Sequence, residues 1–360
     1  MGANAFATGW LLAFEQLRRP TKFLQSFFTM KPGGIYNGET VEIDVQRFGE
    51  DVAVVLRQGK GSNLNDASII TTKEFTPPKY GEAFPADVNE LVARSAGVDP
   101  YSDAYTPYAS KLVMRLMRYF MLGMDKIARG VELQASQILQ TGKLVLADEV
   151  GTIFELDFKP KTTHFPTVSV AWSSASSDKI ADLASLAKVI RADGQVNPDI
   201  LIMGDTAFRQ FMADDEIQKL LDNRRIEIGQ LAPRMAEGGA TFCGEIWIDS
   251  YKFQIWTYPE GYKNPVTGLF TKYIDDDKVV MLSSKTRFDR VSAVVPLPLG
   301  PDPRVSSLMP GRLISGSMDL DVTPNLWCTP DGKQLMAEIE SRPLLIPVQI
   351  DGFGCLDTNP

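Results

Sequence analysis

The stretch TPYASKLVMRLMRYFMLGMDKIARGVELQASQILQT, residues 106–141, decides the fold. Thr106 is of a type that caps a helix, and Pro107 suits the first helical position, where its missing N–H costs nothing. Apolar residues then recur at Leu112, Leu116, Phe120, Met124, Ile127, Val131, Ala135 and Ile138. These steps of three and four mark one helix face, and Gly142 predicts the stop. At 1.5 Å per residue the pattern predicts a rod of about 50 Å, against a mean helix of ~11–12 residues. Such a rod serves as a beam to which smaller pieces attach. Met114, Met117, Met121 and Met124 thicken the stripe and read as core filling by a flexible side chain.

With 360 residues, the chain has room for about two or three packed units. At 44% hydrophobic and 23% charged, it has the composition of a folded globular protein rather than a disordered one. No apolar run approaches the ~18 residues of a membrane span. No basic region precedes the first short apolar run, so no secretory signal is expected. Phe6 stands where a myristoylation motif needs Ser or Thr. Cys243, Cys328 and Cys355 lie far apart, which fits a reducing compartment and excludes a cysteine-rich metal site. The lone histidine, His164, removes two-His zinc sites and confines any Ser-His-Asp arrangement to its own surroundings. Its setting, KPKTTHFP at residues 159–166, reads as a solvated connector.

Residues 1–34 read as an arm. Trp10, Leu11, Phe14 and Leu17 form a short amphipathic pattern ending before Pro20, and Phe23, Leu24, Phe27 and Phe28 form a second cluster. Clusters this small cannot bury themselves, so the arm must lie on the rest of the chain or on a neighbouring copy. Val41, Ile43 and Val45 then alternate with Glu42, Asp44 and Gln46, the period of a half-buried strand. Ser68–Phe75, with Ile69, Ile70, Thr71 and Thr72, is a second extended stretch, and between them lies the polar tip Gly59-Lys60-Gly61-Ser62-Asn63-Leu64-Asn65-Asp66. The picture is a two-stranded projection, marginal alone in water. The tip is not a Walker loop, because Gly follows Lys60 and no helix follows.

Leu144–Phe158 reads as extended structure turning at Asp148-Glu149, and Ser173–Ser177 as a polar junction. Beyond it, Ser177 is expected to cap a helix closed by Gly194, and Ile200–Met203 to form a buried strand. Asp205 or Thr206 caps a segment with Phe208 and Phe211, and Glu216–Ile228 reads as a helix. A hairpin joins Ile246/Ile248 to Phe253/Ile255 across Tyr251-Lys252, and Lys278–Leu282 is a strand. The alternation reads as a compact α+β unit over about 177–317. Lys333–Glu340 and Leu344–Ile350 then return to the first unit.

Chemistry is scarce. Asp214-Asp215-Glu216 suits a helix start, and Asp275-Asp276-Asp277 a solvated turn without the EF-hand pattern. No catalytic residue, metal ligand or cofactor site is assigned. Lys111, Arg115 and Arg118 share one face of the long helix and read as a solvated face or as a contact for nucleic acid or an acidic partner, as does the cluster Arg18-Arg19 with Lys22. Arg224-Arg225 fits a helix end. A net charge of −8 argues against a protein that grips phosphate backbones over a broad surface.

The ordered set Phe23-Leu24-Gln25-Ser26-Phe27-Phe28, Glu74-Phe75-Thr76-Pro77, Asp205–Met212, Leu221-Asp222-Asn223-Arg224-Arg225 and Ser341-Arg342-Pro343-Leu344-Leu345 resembles lambda-type phage major capsid proteins, the phage major capsid protein E family. The resemblance implies an α+β fold of the Hong Kong 97 type. On this chain it implies an arm at 1–38 and a strand with extended loop at 39–85, the loop itself at about 48–80. A peripheral domain at 86–176 would hold the spine helix 106–141, followed by an axial domain at 177–317 and a return at 318–360.

The function implied is a non-enzymatic subunit of an icosahedral shell, a homo-oligomer of hexamers and pentamers. It would enclose double-stranded DNA without reading its sequence, in a virion assembled in bacterial cytoplasm. Implied partners are a portal, a decoration protein and, because no charged leader precedes the arm, a separate scaffolding protein. Trp10, Phe14, Phe23, Leu24, Phe27, Phe28, Gly59, Lys60, Gly61, Asn63 and Asn65 are the expected assembly contacts, and Lys111, Arg115 and Arg118 a lumen-facing set. Lys60, Asn63 and Asn65 also have the types for Lys–Asn cross-linking, as many surface loops do. The competing readings are an encapsulin-like compartment shell and a hydrolase working through carboxylates alone. The latter predicts a deep pocket of convergent acids, where a shell predicts shallow surfaces and large intersubunit burial.

Overall fold

The computed structural model describes residues 20–36, 41–46, 70–75, 77–87, 108–147, 152–221, 229–235, 238–295, 321–331 and 334–360. The organising stretch is one helix, α1, Tyr108–Thr141; Thr106 and Pro107 lie outside the described residues. Leu116, Phe120, Ile127, Val131, Ala135 and Ile138 are all buried along its expected face. Gly142 ends it at φ 66°, with its N–H donating to Ile138 O at 2.8 Å. That left-handed conformation favours glycine.

The methionines differ from expectation. Met117, Met121 and Met124 are 58%, 61% and 51% exposed. Core packing takes one side of α1 over its first half and closes around its second half, where Glu132, Gln134, Ala135, Ser136 and Leu139 are all buried. Spacing alone cannot tell a thick stripe from a stripe with an uncovered flank.

A six-stranded sheet runs in the order Phe353–Asp357, Lys278–Leu282, Ile200–Met203, Tyr251–Thr257, Thr241–Ile248, Gly229–Met235. Ile200–Met203 and Tyr251–Thr257 pair parallel, and the other neighbours pair antiparallel. Successive side chains on a strand point to opposite faces, and here both faces are covered. Ile200, Ile202, Val280, Leu282, Phe353 and Cys355 join the core of α1. Leu201, Met203, Val279, Met281 and Leu356 pack instead with α2, Lys179–Gly194, and α3, Asp205–Met212. This burial on both sides explains why Ile200–Met203 reads as an unbroken apolar run.

Local endings depart from the sequence reading in informative ways. Asp178, not Ser177, caps α2, its carboxylate accepting the Ala181 N–H at 2.9 Å. Gln195 takes the left-handed position at φ 58° after α2. Gly194 serves close approach instead, since a Cβ there would stand 2.3 Å from Asp351 O. The hairpin between Thr241–Ile248 and Tyr251–Thr257 turns at Asp249-Ser250, with Tyr251 and Lys252 paired in the strand. Of the helix expected over 216–228, the described part is α4, Asp215–Leu221.

His164 corrects the solvated-loop reading. It is fully buried, its Nδ1 2.9 Å from Phe353 O and its Nε2 3.1 Å from Asp193 Oδ2. The strand Phe353–Asp357 runs against it, close enough that a Cβ at Gly354 would stand 2.5 Å from His164 O. Local composition carries no trace of a contact 189 residues away.

Three smaller sheets surround α1. Phe28–Tyr36 pairs parallel with Phe288–Ala293, which pairs antiparallel with Pro343–Pro347. Tyr80–Asp87 pairs with Gln334–Ser341, and that with Val322–Cys328. Lys143–Ala147 pairs with Thr152–Asp157. Val41–Gln46 and Ile70–Phe75 pair antiparallel, in register from Val41↔Phe75 to Gln46↔Ile70, and form the base of the expected projection. Its tip, with Gly59, Lys60, Gly61, Asn63 and Asn65, lies outside the described residues, as do Trp10 and Phe14. Among the described residues no helix is long and apolar enough to cross a membrane.

Candidate assembly site at the polar face of the long helix

The last third of α1 carries polar side chains where a helix buried all round would leave them orphaned. Instead they hold other pieces of the chain. Glu132 is fully buried, and its carboxylate accepts N–H groups from Leu24 at 2.7 Å and Gln25 at 3.1 Å. These amides open the 3-10 turn Leu24–Phe27, which has no side-chain cap of its own; Glu132 supplies the missing acceptor. Tyr258 also donates its hydroxyl to Glu132 at 2.8 Å and lies 2.5 Å from Thr21 Oγ1. Burial raises the Glu132 carboxyl above the usual range, and the amide and phenol donors offset only part of that rise. Tyr258 and Tyr273 are raised too, first by burial and then by the nearby Glu132 charge.

Three further side chains continue the pattern. Gln134 donates to Tyr80 Oη at 2.8 Å and Pro343 O at 3.2 Å, and accepts from Leu345 N at 3.4 Å. Ser136 donates to Tyr273 O. Gln140 donates to the same carbonyl at 2.8 Å and accepts from Asp275 N at 3.0 Å. Buried amides with both ends engaged fix register as apolar contacts cannot. Sequence reasoning missed this set. The available signal was VELQASQILQ, residues 131–140, which carries one charge among ten residues and so reads as buried on every side.

The arm root is pinned by aromatic packing as well. Phe23 lies 5.3 Å from the Trp256 ring and 5.4 Å from the Tyr258 and Phe27 rings, and Phe28 lies 5.0 Å from Phe288. The structure thus places Phe23, Leu24 and Phe28 in the subunit's own core, with Phe27 packed against it. Of the basic face, Arg118 is exposed, whereas Arg115 donates from Nε to Tyr119 Oη at 2.9 Å and lies over that ring; the Lys111 side chain falls outside the described residues.

The acidic clusters are structurally engaged. Lys272 reaches Asp205 at 2.5 Å and Asp276 at 2.6 Å, and both hydrogen bonds raise its affinity for its proton. Asp214 pairs with the buried Lys179 at 2.6 Å. A groove of about 420 Å³ beside α2 is lined by Thr163, Thr167, Ser185 and a single acid, Asp182. Asp182 accepts the Trp172 indole N–H at 3.0 Å.

Away from these anchors, the described residues include two groups of exposed apolar side chains. One is the methionine stripe of α1. The other is the hairpin Gly261–Lys263/Phe270–Lys272, whose turn leaves Val266, Leu269 and Phe270 55%, 69% and 58% exposed.

Residues 12–353 match the family model described as phage major capsid protein E. Comparison with curated proteins finds no match. Among solved structures, the chain is similar to a protein assigned as a prophage capsid protein in E. coli CFT073. The TM-score is 0.60 at 15% identity, covering 94% of this chain and 93% of that one. A phage-related protein from Bordetella bronchiseptica RB50 aligns with TM-score 0.47 at 11% identity, over 95% of this chain and 93% of that one. An encapsulin complex from Synechococcus elongatus PCC 7942 aligns with TM-score 0.43 at 11% identity, over 99% and 92%. The fold is that of Hong Kong 97-like phage capsid proteins. The match spans nearly the whole chain and ties arm root, long helix and sheet into one family: this protein belongs to the phage major capsid protein E family and is a structural component of a phage virion.

Proposed function

We propose that copies of this chain build an icosahedral shell of hexamers and pentamers that encloses double-stranded DNA and assembles in the bacterial cytoplasm with a scaffolding protein, a portal and a decoration protein. Residues 1–38 act as the arm, about 48–80 as the extended loop, and 86–176 with 318–360 as the peripheral domain around α1. Residues 177–317 form the axial domain. One observation carries the reading: the family match runs from residue 12 to residue 353.

Trp10, Phe14 and the tip Gly59–Asn65 are the proposed intersubunit contacts. Phe23, Leu24, Phe27 and Phe28 anchor the arm to its own subunit so that its outer part can reach a neighbour. Arg118 faces enclosed DNA as a dispersed charge; the net charge of −8 keeps the lining from gripping the genome. Expression of the chain with and without its genomic neighbours, followed by electron microscopy and nuclease protection, tests this. Closed particles that protect DNA in infected cells are expected. A protein that stays monomeric under all these conditions, or particles filled with protein cargo alone, overturns it.

A further inference from the structure

The hairpin Gly261–Lys263/Phe270–Lys272 holds an apolar tip in a fixed shape. Its root lies on the face of the six-stranded sheet that packs against α1. There the Tyr262 ring stacks on Tyr273 at 5.5 Å, and Tyr273 on Tyr258 at 5.9 Å. At the turn, Asn264 braces the loop. Its side-chain oxygen accepts the Val266 N–H at 2.8 Å, its own N–H donates to Leu269 O at 2.9 Å, and its carbonyl accepts the Gly268 N–H at 2.8 Å. Gly268 closes the turn at φ 71°, a conformation that favours glycine. The Phe270 ring lies over Gly261, where a Cβ would stand 2.7 Å from it. On this braced loop Val266, Leu269 and Phe270 are each more than half exposed. Single exposed apolar residues are ordinary, but three large ones on one loop mark a contact site. A loop already ordered loses little further freedom on binding.

A receptor of matching chemistry lies on the same chain. The groove of about 420 Å³ beside α2 has apolar walls at Pro166, Val168, Leu186, Val189 and Leu356. Its one acid, Asp182, is engaged by the Trp172 indole N–H, so the groove favours an uncharged occupant. Its volume lies toward the lower end for ligand pockets, about 300–1,000 Å³, a size suited to a loop tip. Val168, Leu186 and Leu356 belong to the core on the α2 face of the sheet, whereas the hairpin springs from the α1 face. With the sheet between them, tip and groove do not meet in one subunit.

We infer that the Val266–Phe270 tip of one subunit seats in the α2 groove of a second copy of the chain, an inference that rests on the shell reading above. The two surfaces differ, so the contact runs head to tail. Repeated by rotation, such a contact closes a ring, the form that hexamers and pentamers require.

The test uses two single-cysteine chains, Leu269→Cys and Ser185→Cys, each also carrying Cys328→Ser; Cys243 and Cys355 are buried. The chains are assembled into particles together and separately, then oxidised. A disulfide-linked dimer from the mixture alone is the expected result on a non-reducing gel. Particles whose mixture gives no dimer, or a dimer from either chain assembled by itself, overturn the inference while leaving the shell reading intact. Absence of particles from the unmodified chain strikes the shell reading itself. If the cysteine chains give no particles, hydroxyl-radical oxidation of the unmodified chain decides. Oxidation at Leu269, Phe270 and Val189 is expected to fall several-fold from free subunits to particles, and equal oxidation in both overturns the inference.

Discussion

At the scale of single residues, Glu132 concentrates the physical argument. Among the described residues its carboxyl takes hydrogen bonds from three donors and forms no ion pair, so the arm root is held by hydrogen bonds to a buried acid. Glu132→Ala leaves the Leu24 and Gln25 amides without an acceptor and is expected to destabilise the subunit by about 3 kcal/mol. Glu132→Gln keeps one accepting oxygen and costs about 1 kcal/mol. The pH dependence follows from the raised carboxyl. Well below the unfolded-state value the group is neutral in both states. As pH climbs through the raised folded value it ionises in place, so the folded state has bound its proton more tightly than the unfolded one. The contribution of Glu132 to stability is therefore full below the unfolded-state value and is lost as pH rises through the folded one. Urea unfolding of the unassembled subunit across that range should show the decline, and Glu132→Gln should flatten it. His164 offers a second case: His164→Leu leaves Phe353 O unpaired and removes one of the two partners of Asp193, at about 1–3 kcal/mol. Glu132 and His164 were both illegible in the chain alone, because each takes its role from partners more than a hundred residues away.

At the scale of elements, α1 keeps two glycines that helix propensity disfavours by about 1 kcal/mol each. Both are there for neighbours. A Cβ at Gly123 would stand 2.3 Å from Ile339 Cγ2 and 3.4 Å from Phe84 Cε2. At Gly130 it would stand 2.8 Å from the ring of Tyr80, whose hydroxyl Gln134 holds in place. Gly123→Ala and Gly130→Ala should each lower stability by about 1–3 kcal/mol through overpacking, although alanine is the better helix former. Thermal unfolding checks the sign. The existence of α1, its apolar face and its stop at Gly142 were legible because periodicity and a left-handed glycine are local signals. The solvent exposure of Met117, Met121 and Met124 was not, since burial depends on how many elements arrive on each side. The helix Lys179–Gly194 does end where Gly194 predicted, but the close approach of that glycine to Asp351 was not legible.

At the scale of the whole molecule, the α+β class and the capsid family were visible in the order of arm, projection, beam and sheet unit. What the chain concealed is how the pieces interleave. The stretch expected to return to the first unit divides: Gln334–Ser341 and Pro343–Pro347 do return toward α1, while Phe353–Asp357 enters the six-stranded sheet beside Lys278–Leu282. Ending the chain after residue 352 should therefore unfold the sheet rather than trim a tail, giving insoluble protein on expression. Soluble, assembly-competent protein would contradict that placement.

The strand Phe353–Asp357 also sets a clock. Ile200–Met203 and Lys278–Leu282 are made early, yet the edge beside Lys278–Leu282 stays open, with Val280 and Leu282 short of their cover, until translation has passed residue 357. A nascent chain still short of residue 357 thus lacks the strand that closes this side of the sheet.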